Sequence, residues 1–283
     1  MAITNFIPTV WSARLLVNLN KYHVYAQPTI VNKDYEGEIV DMGDTVKINS
    51  IGSVTISPYT KNQEIPAAEA LSANLTTLTI DQGHVFNFFV DDVEKAQAAG
   101  DPIDAAMGEA GSGLSDKADL YIASLYTEAD PNNLISTMNE DTTPVNQLTK
   151  DNAYDYLVDL GTKLDEANVP SLNRFCIIPS WYFGLLQKDA RFTKDSKVLY
   201  NGYIGEVAGM TVYKSNNVPN TNGADYKIMA GYPGAISFVE QIVKVEAYRP
   251  EKRFADGVKG LYVFGAKLIR PTGIAVLTAN KPA

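Results

Sequence analysis

Residues 101–128, DPIDAAMGEAGSGLSDKADLYIASLYTE, contain the pattern that decides the fold. Asp101 followed by Pro102 predicts a helix start, because aspartate caps free N–H groups and proline fits the first helical position. Apolar residues then recur at spacings of three and four and predict one stripe over about seven turns. They are Ile103, Met107, Ala110, Leu114, Ala118, Tyr121 and Leu125. Because Gly108, Gly111 and Gly113 weaken helix propensity, packing must hold this helix along its length.

Two β-type runs precede the helix. Residues 46–56 alternate apolar and polar side chains at both ends, and residues 75–90 are rich in Thr, Ile, Val and Phe. Joined by residues 57–74, they predict a long hairpin that projects from a compact core. A hairpin of two strands is only marginally stable in water, so it needs another surface to lie upon.

The tip of this hairpin contains several apolar residues and few charges, whereas a solvated tip is normally more polar. We therefore expect it to rest on an adjacent subunit. The candidate interface residues of the tip are Pro58, Tyr59, Lys61, Ile65, Pro66 and Leu71. Residues 1–45, with at most a short helix near 11–19, predict an arm that lies against other surfaces, and Trp11 and Arg14 are its candidate contacts.

The remaining chain mixes helices and strands and predicts an α+β protein. Helices are expected at about 151–167 and 181–188, the second capped by Ser180. A short buried strand is expected at 175–178. Further strands are expected at 227–230, 235–239, 243–248, 259–264, 266–270 and 274–277.

Motifs that carry chemistry are sparse. The chain has two histidines, His23 and His84, and one cysteine, Cys176, which lies in an apolar run and is expected to be a buried packing group. The glycines of NGYIGEVAGMTVYKSNNVP, residues 201–219, lack the spacing and the following helix of a phosphate-binding loop. We therefore expect no catalytic residue, no cofactor and no metal site, with a carboxylate-using hydrolase as a remote alternative.

The bulk composition limits the possible partners. The 283 residues carry a net charge of −9, which argues against a broad basic face that grips nucleic acid. No run approaches the roughly 18 apolar residues of a membrane span. The N-terminus lacks the basic region of a signal peptide, so synthesis in the cytoplasm is expected.

The order of arm, long hairpin, long helix, α/β block and closing strands resembles the major capsid proteins of tailed double-stranded DNA phages, the Hong Kong 97 fold. NFIPTVWSARLLVNLNK and YEGEIVDMGDTVKI resemble that family's N-terminal arm and the start of its hairpin. IIPSWYFGLLQKDARF and NGYIGEVAGMTVYKSNNVP resemble its central strand, helix and small loop. The resemblance covers nearly the whole chain and rests more on the order of elements than on invariant residues.

This resemblance implies five regions. Residues 1–45 would be the N-terminal arm, 46–90 the extended loop, 91–128 the spine helix of the peripheral domain, 129–235 the axial domain, and 236–283 peripheral-domain strands with a C-terminal strand. It also implies self-assembly into hexamers and pentamers of an icosahedral phage head in the virion, assembled in the host cytoplasm. The shell would enclose double-stranded DNA without sequence-specific binding, and a scaffolding protein and a portal are the expected partners.

A second interpretation stays open. An encapsulin, the shell protein of a cellular nanocompartment, has the same fold and encloses an enzyme. Encapsulins begin with an amphipathic cargo-docking helix, and the interruption at Pro8 and Thr9 argues against such a helix here.

Overall fold

The part of the chain that the computed structural model describes contains three β-sheets, three α-helices with defined ends, and short 3₁₀ turns. That part comprises residues 15, 23–35, 42–51, 55–64, 67, 73–91, 102–136, 148–189, 205–252 and 254–282. Asp101, the predicted helix cap, and residues 201–204 of the glycine-rich stretch lie outside it.

The first sheet is an antiparallel hairpin of β1 (Thr45–Ile51) and β2 (Ala73–Thr79). The predicted hairpin is therefore present, but its second strand does not continue to Val90. The chain turns at Ile80 and Asp81, and β3 (Gln82–Asp91) joins a different sheet. The β-type composition is continuous across this corner, because each half of the run pairs with a different neighbour. Of the predicted extended loop 46–90, the last nine residues thus lie in the second sheet.

The second sheet places β10 (Ala255–Leu268) between β3 and β9 (Ile236–Tyr248), with both pairs antiparallel. Residues 235–239 and 243–248, predicted as two strands, form one continuous strand. The predicted strands 259–264 and 266–270 are likewise joined through Gly265 into β10, which ends at Leu268. Pairing of Gly265 with Val239 of β9 carries β10 through a glycine at which propensity alone predicts a break.

The long helix α1 (Pro102–Ser124) packs on one face of this second sheet and continues as a 3₁₀ turn to Glu128. Its predicted stripe is largely confirmed, with Ile103, Met107, Leu114, Ala118 and Leu125 buried. At about 1.5 Å per residue, its 23 residues span about 35 Å. The shared core includes Ile122 of α1 and Phe238 and Phe264 of the sheet.

The third sheet has six strands. They are β4 (Leu134–Ser136), β11 (Ile274–Ala279), β8 (Tyr226–Gly231), β5 (Arg174–Ile178), β7 (Met210–Lys214) and β6 (Glu206–Val207), in that spatial order. The C-terminal strand β11 thus belongs to this sheet, where it pairs with β8 and β4, and not with the strands of the second sheet.

The helices α2 (Ala153–Glu166) and α3 (Ser180–Lys188) confirm both predicted helices and share a core with the six-stranded sheet. Ser180 does not cap α3, however. Pro179 occupies the cap position, and the Ser180 hydroxyl donates a hydrogen bond to Asn216 Oδ1 at 2.6 Å.

The glycine-rich stretch is a turn, as predicted. Gly209 (φ 74°) and Ala208 (φ 51°) form the two-residue connection between β6 and β7, and both have the left-handed backbone of a tight hairpin. The strand β7 follows directly. A helix N-terminus, which a phosphate-binding loop requires, does not follow these glycines.

Candidate subunit interface

The tip of the hairpin presents apolar side chains to solvent. Every described residue from Thr55 to Glu64 is exposed, including Ile56 at 93% and Tyr59 at 79%. The Gln63 N–H bonds to the Thr60 carbonyl at 3.2 Å and closes a turn around Asn62, whose φ is 67°. Among the described residues this turn therefore displays apolar groups away from either large core.

The structure locates only some of the interface residues that the sequence suggested. Pro58, Tyr59 and Lys61 lie on the exposed tip, in or next to the turn closed by Gln63. The others lie outside the described residues, and they are Trp11, Arg14, Ile65, Pro66 and Leu71.

The root of the hairpin, in contrast to its tip, is packed. Val46, Ile48, Leu78 and Ile80 are 6% exposed or less, and with Val263 they belong to a small third core against the second sheet. The alternation along β1 places these side chains on one face of the hairpin. The hairpin is therefore anchored at its root, while residues 55–64 of its tip are exposed to solvent.

The N-terminal segment 23–35 is held by main-chain and side-chain contacts. The Asn32 N–H donates to the Ile236 carbonyl at 2.8 Å, and the Phe238 N–H donates to the Asn32 carbonyl at 2.9 Å. The segment thus adds a short parallel bridge to the start of β9. Tyr25 and Ile30 are fully buried in the core beneath it.

A carboxylate of α1 fixes the first turn of this segment. Asp119, which is 1% exposed, accepts backbone hydrogen bonds from Val24 at 2.8 Å, Tyr25 at 3.0 Å and Ala26 at 3.1 Å. Three N–H donors on one anion compensate its burial, as a capping carboxylate does at a helix start.

His23 lies between two acids in the same place. Its Nε2 is 3.2 Å from Glu240 Oε2, and its Nδ1 is 2.9 Å from Ser115 Oγ and 3.6 Å from Asp119 Oδ1. Burial opposes a charge on this imidazole, but the carboxylates of Asp119 and Glu240 outweigh it and raise the pKa of His23 above its usual value. The geometry thus suits a protonated histidine.

Glu240 is the other centre of this cluster. It also binds Lys33 Nζ at 2.5 Å and accepts a hydrogen bond from the Tyr262 hydroxyl. Burial by itself would raise the pKa of Glu240, yet His23 and Lys33 lower it to about 2. His23, Lys33, Asp119 and Glu240 together balance two positive and two negative charges. The sequence did not reveal this cluster, because 217 residues separate His23 from Glu240.

The outer face of the second sheet is a further open surface. Val85 (74% exposed) and Phe89 (47%) project from β3 on the side away from α1. A shallow cavity of about 360 Å³ is lined by Val85 together with Lys244, Glu246 and Lys259. Hydrogen bonds from Lys244 and Lys259 lower the pKa of Glu246. One face of β3 packs on α1. Apolar residues on its other face are therefore the feature of the sequence that indicates such a surface.

The remaining candidate chemistry has a structural explanation. Cys176 is fully buried, and burial raises the pKa of its thiol to about 12, which confirms the packing role. The His84 ring stacks on Phe264 with 5.5 Å between centroids. In the described part of the chain, no group of three or more His, Cys, Asp or Glu side chains could hold a metal ion. Within those same residues, no helix is long and apolar enough to cross a membrane.

Comparisons with known proteins agree on one architecture. The family model described as phage capsid protein matches residues 74–277. No curated protein matches the chain. A solved structure from Mycobacterium phage Che8 is 29% identical, with a TM-score of 0.71 over 90% of each chain.

Two further solved structures show how far the likeness extends. The capsid of Cyanophage P-SCSP1u is 18% identical, with a TM-score of 0.69 over 86% of this chain and 85% of that one. The SrpI encapsulin of Synechococcus elongatus is 12% identical, with a TM-score of 0.50 over 87% and 85%. The likeness to the encapsulin is therefore weaker than the likeness to the two phage structures.

Proposed function

Since the chain belongs to the phage capsid protein family and is a structural protein of the virion shell, we propose that its projecting hairpin joins neighbouring subunits into the hexamers and pentamers of an icosahedral head. Copies of one chain in a closed shell sum many small contact energies. A hairpin with a packed root and an exposed apolar tip suits such a contact, because these side chains become buried only against another subunit.

We propose that the regions implied by the resemblance correspond to the following strands and helices. The extended loop comprises the hairpin β1–β2, the spine is α1, and the peripheral domain is the sheet of β3, β10 and β9. The axial domain is the six-stranded sheet, including β11, with α2 and α3. The candidate interface residues Pro58, Tyr59 and Lys61 are on the loop tip, and Trp11, Arg14, Ile65, Pro66 and Leu71 are proposed to act with them. The open face around Val85 and Phe89 is proposed as a second contact surface.

The contents and partners of the shell are also part of the proposal. The net charge of −9 suits a container, because a negative wall does not trap packaged double-stranded DNA on its surface. A separate scaffolding protein and a portal are the expected partners, with assembly in the host cytoplasm. The encapsulin alternative predicts instead a shell that encloses a protein cargo, so the contents of purified particles distinguish the two.

Substitutions at the loop tip test the proposed contact. The double substitution Ile56→Ser, Tyr59→Ala removes exposed apolar groups. It should leave the free energy of unfolding of the unassembled subunit within about 0.5 kcal/mol of the parent value. The yield of closed shells, measured by electron microscopy and sedimentation, should fall at least tenfold.

The matched control is Gln63→Ala, which changes an exposed polar side chain of the same turn. It should assemble like the parent chain. Normal shells from the Ile56→Ser, Tyr59→Ala variant would show that the apolar tip makes no essential contact.

A further inference from the structure

Where the chain leaves the hairpin, it passes over Gly265 of β10. The pairing of β3 with β10 ends at Gln82 and Phe264. The next residue of β10, Gly265, lies directly beneath the corner at Thr79 and Ile80. A Cβ at Gly265 would lie 2.5 Å from the Thr79 carbonyl oxygen and 3.1 Å from the Ile80 Cα. Both are backbone atoms, so no side-chain rotation relieves this overlap.

The corner is fixed from its other sides as well. Both backbone groups of Ile80 are paired: its N–H donates to the Asp44 carbonyl and its carbonyl accepts from the Gly43 N–H, each at 3.0 Å. The Ile80 side chain is 1% exposed and packs in the third core. The two strands of the hairpin are therefore held together where they leave the subunit body.

A hydrogen bond ties the corner to the long helix. The Tyr121 hydroxyl of α1 donates to Asp81 Oδ1 at 2.9 Å. The Tyr121 ring packs edge-on against Phe264, with 5.6 Å between centroids and 66° between planes. Asp81 is the residue at which the chain turns from the hairpin into β3, so this bond acts on the direction of the turn.

We propose that Gly265 and the Tyr121–Asp81 hydrogen bond are positioning elements that set the angle at which the hairpin leaves the subunit. This corner is called the elbow below. The hairpin acts as a lever, since its seven-residue strands extend about 23 Å from the elbow. A rotation of about 10° at the elbow thus moves the far end of the strands by about 4 Å. If the hairpin contacts a neighbour, as the proposed function holds, the elbow also sets the spacing and curvature of the shell.

The angle can be measured on the subunit itself. Lys61→Cys on the loop tip and Lys117→Cys on α1 are both at exposed positions, and the native Cys176 is buried and unreactive. Spin labels at the two introduced cysteines report the distance from tip to body by pulsed electron resonance. Gly265→Ala in this background should shift the mean distance by several ångströms, and Tyr121→Phe should broaden the distribution.

Gly257→Ala is the matched control. It lies in the same strand, and its Cβ would be 2.7 Å from the Tyr248 ring, but it is eight residues from Gly265 at the far end of β10. It should lower stability without moving the tip. If Gly265→Ala does not fold, Tyr121→Phe decides the question, because an unchanged distribution in that variant overturns the proposal. A folded Gly265→Ala subunit with the parent distance also overturns it.

Particle diameters give the second measurement. Gly265→Ala shells should differ in mean diameter from parent shells by more than the spread of the parent population, while Gly257→Ala shells should not. Shells of parent diameter from a Gly265→Ala subunit whose tip has moved would refute the link to curvature. Failure of the proposed function appears differently, as normal assembly of the tip variants, and leaves the distance measurement valid.

Discussion

At the scale of single residues, the cluster around His23 and Glu240 determines how firmly the N-terminal segment is attached. It joins three parts of the chain: the segment itself, α1 through Asp119, and β9 through Glu240. His23 and Asp119 are buried and the Glu240 side chain is 5% exposed, so these charges are compensated mainly by each other, while Lys33 at 16% exposure keeps some contact with water. Loss of one charge leaves its partner buried and unpaired, which costs more than the pair contributes.

The stabilising effect of His23 should depend on pH. Because its pKa in the folded state is raised, its contribution is complete below about pH 6.5 and is lost as the pH rises through the raised value. We expect His23→Gln to lower the free energy of unfolding by about 2 kcal/mol at pH 6 and by clearly less at pH 9. Urea unfolding of the unassembled subunit at both pH values measures this difference.

Asn133→Ala is the control for that comparison. It removes hydrogen bonds from a buried amide to the Thr272 and Ile274 carbonyls, which involve no titrating group, so its cost should be equal at the two pH values. A cost of His23→Gln that does not change between pH 6 and pH 9 would contradict a protonated histidine. Glu240, whose pKa is lowered to about 2, contributes at both pH values and loses its contribution only in strong acid.

At the scale of elements, the glycines of α1 and of the sheets have opposite consequences. A Cβ at Gly113 would meet nothing within 4 Å, so this exposed helical glycine only weakens the helix. Gly113→Ala should therefore raise the free energy of unfolding by about 1 kcal/mol. Thermal and urea unfolding of the subunit measure the gain.

Gly231→Ala provides the contrast. A Cβ there would lie 2.9 Å from the Gly273 carbonyl oxygen, so β8 or the 3₁₀ turn Pro271–Gly273 that precedes β11 must move. This variant should be destabilised, while Gly113→Ala is stabilised. Equal effects of the two substitutions would mean that local crowding does not decide what these glycines do.

Some of these helices and strands could be predicted from the sequence, and others could not. Helical periodicity predicted α1 and α2 within a few residues, because each has its own apolar stripe. The helix α3 was predicted from Ser180 as its cap, and the helix is present although Pro179 occupies that position. The sequence could not predict that one β-type run divides between two sheets at Ile80, since propensity does not identify a strand's partner. The position of β11 beside β8 depends in the same way on contacts between distant residues.

The candidate interface was predictable in part. The apolar composition of the tip indicated Pro58 and Tyr59, which the structure exposes. The elbow at Gly265 and the cluster at His23 were not, because each depends on a distance across the fold. Gly265 is one of 20 glycines in the chain, and its meaning depends on the Thr79 carbonyl above it.

At the scale of the whole molecule, the subunit combines two large cores with a hairpin that belongs to neither. One core lies between α1 and the second sheet and extends to β5, β8 and β11, and the other lies between α2, α3 and the six-stranded sheet. Among the described residues of the hairpin, those at its root contribute to a core, and residues 55–64 include exposed apolar groups. We infer from this division that the body folds by itself and that the hairpin binds a neighbouring subunit.

Removal of the far end of the hairpin tests that claim most directly. Ile51 and Ala73 are paired across the two strands, so replacing residues 52–72 by Asn-Gly closes the hairpin with a two-residue turn. Circular dichroism and thermal melting should show a folded subunit, and electron microscopy of the same preparation should show no closed shells. If the shortened chain builds closed shells like those of the parent, the hairpin is not needed to bind a neighbouring subunit and the inference is wrong.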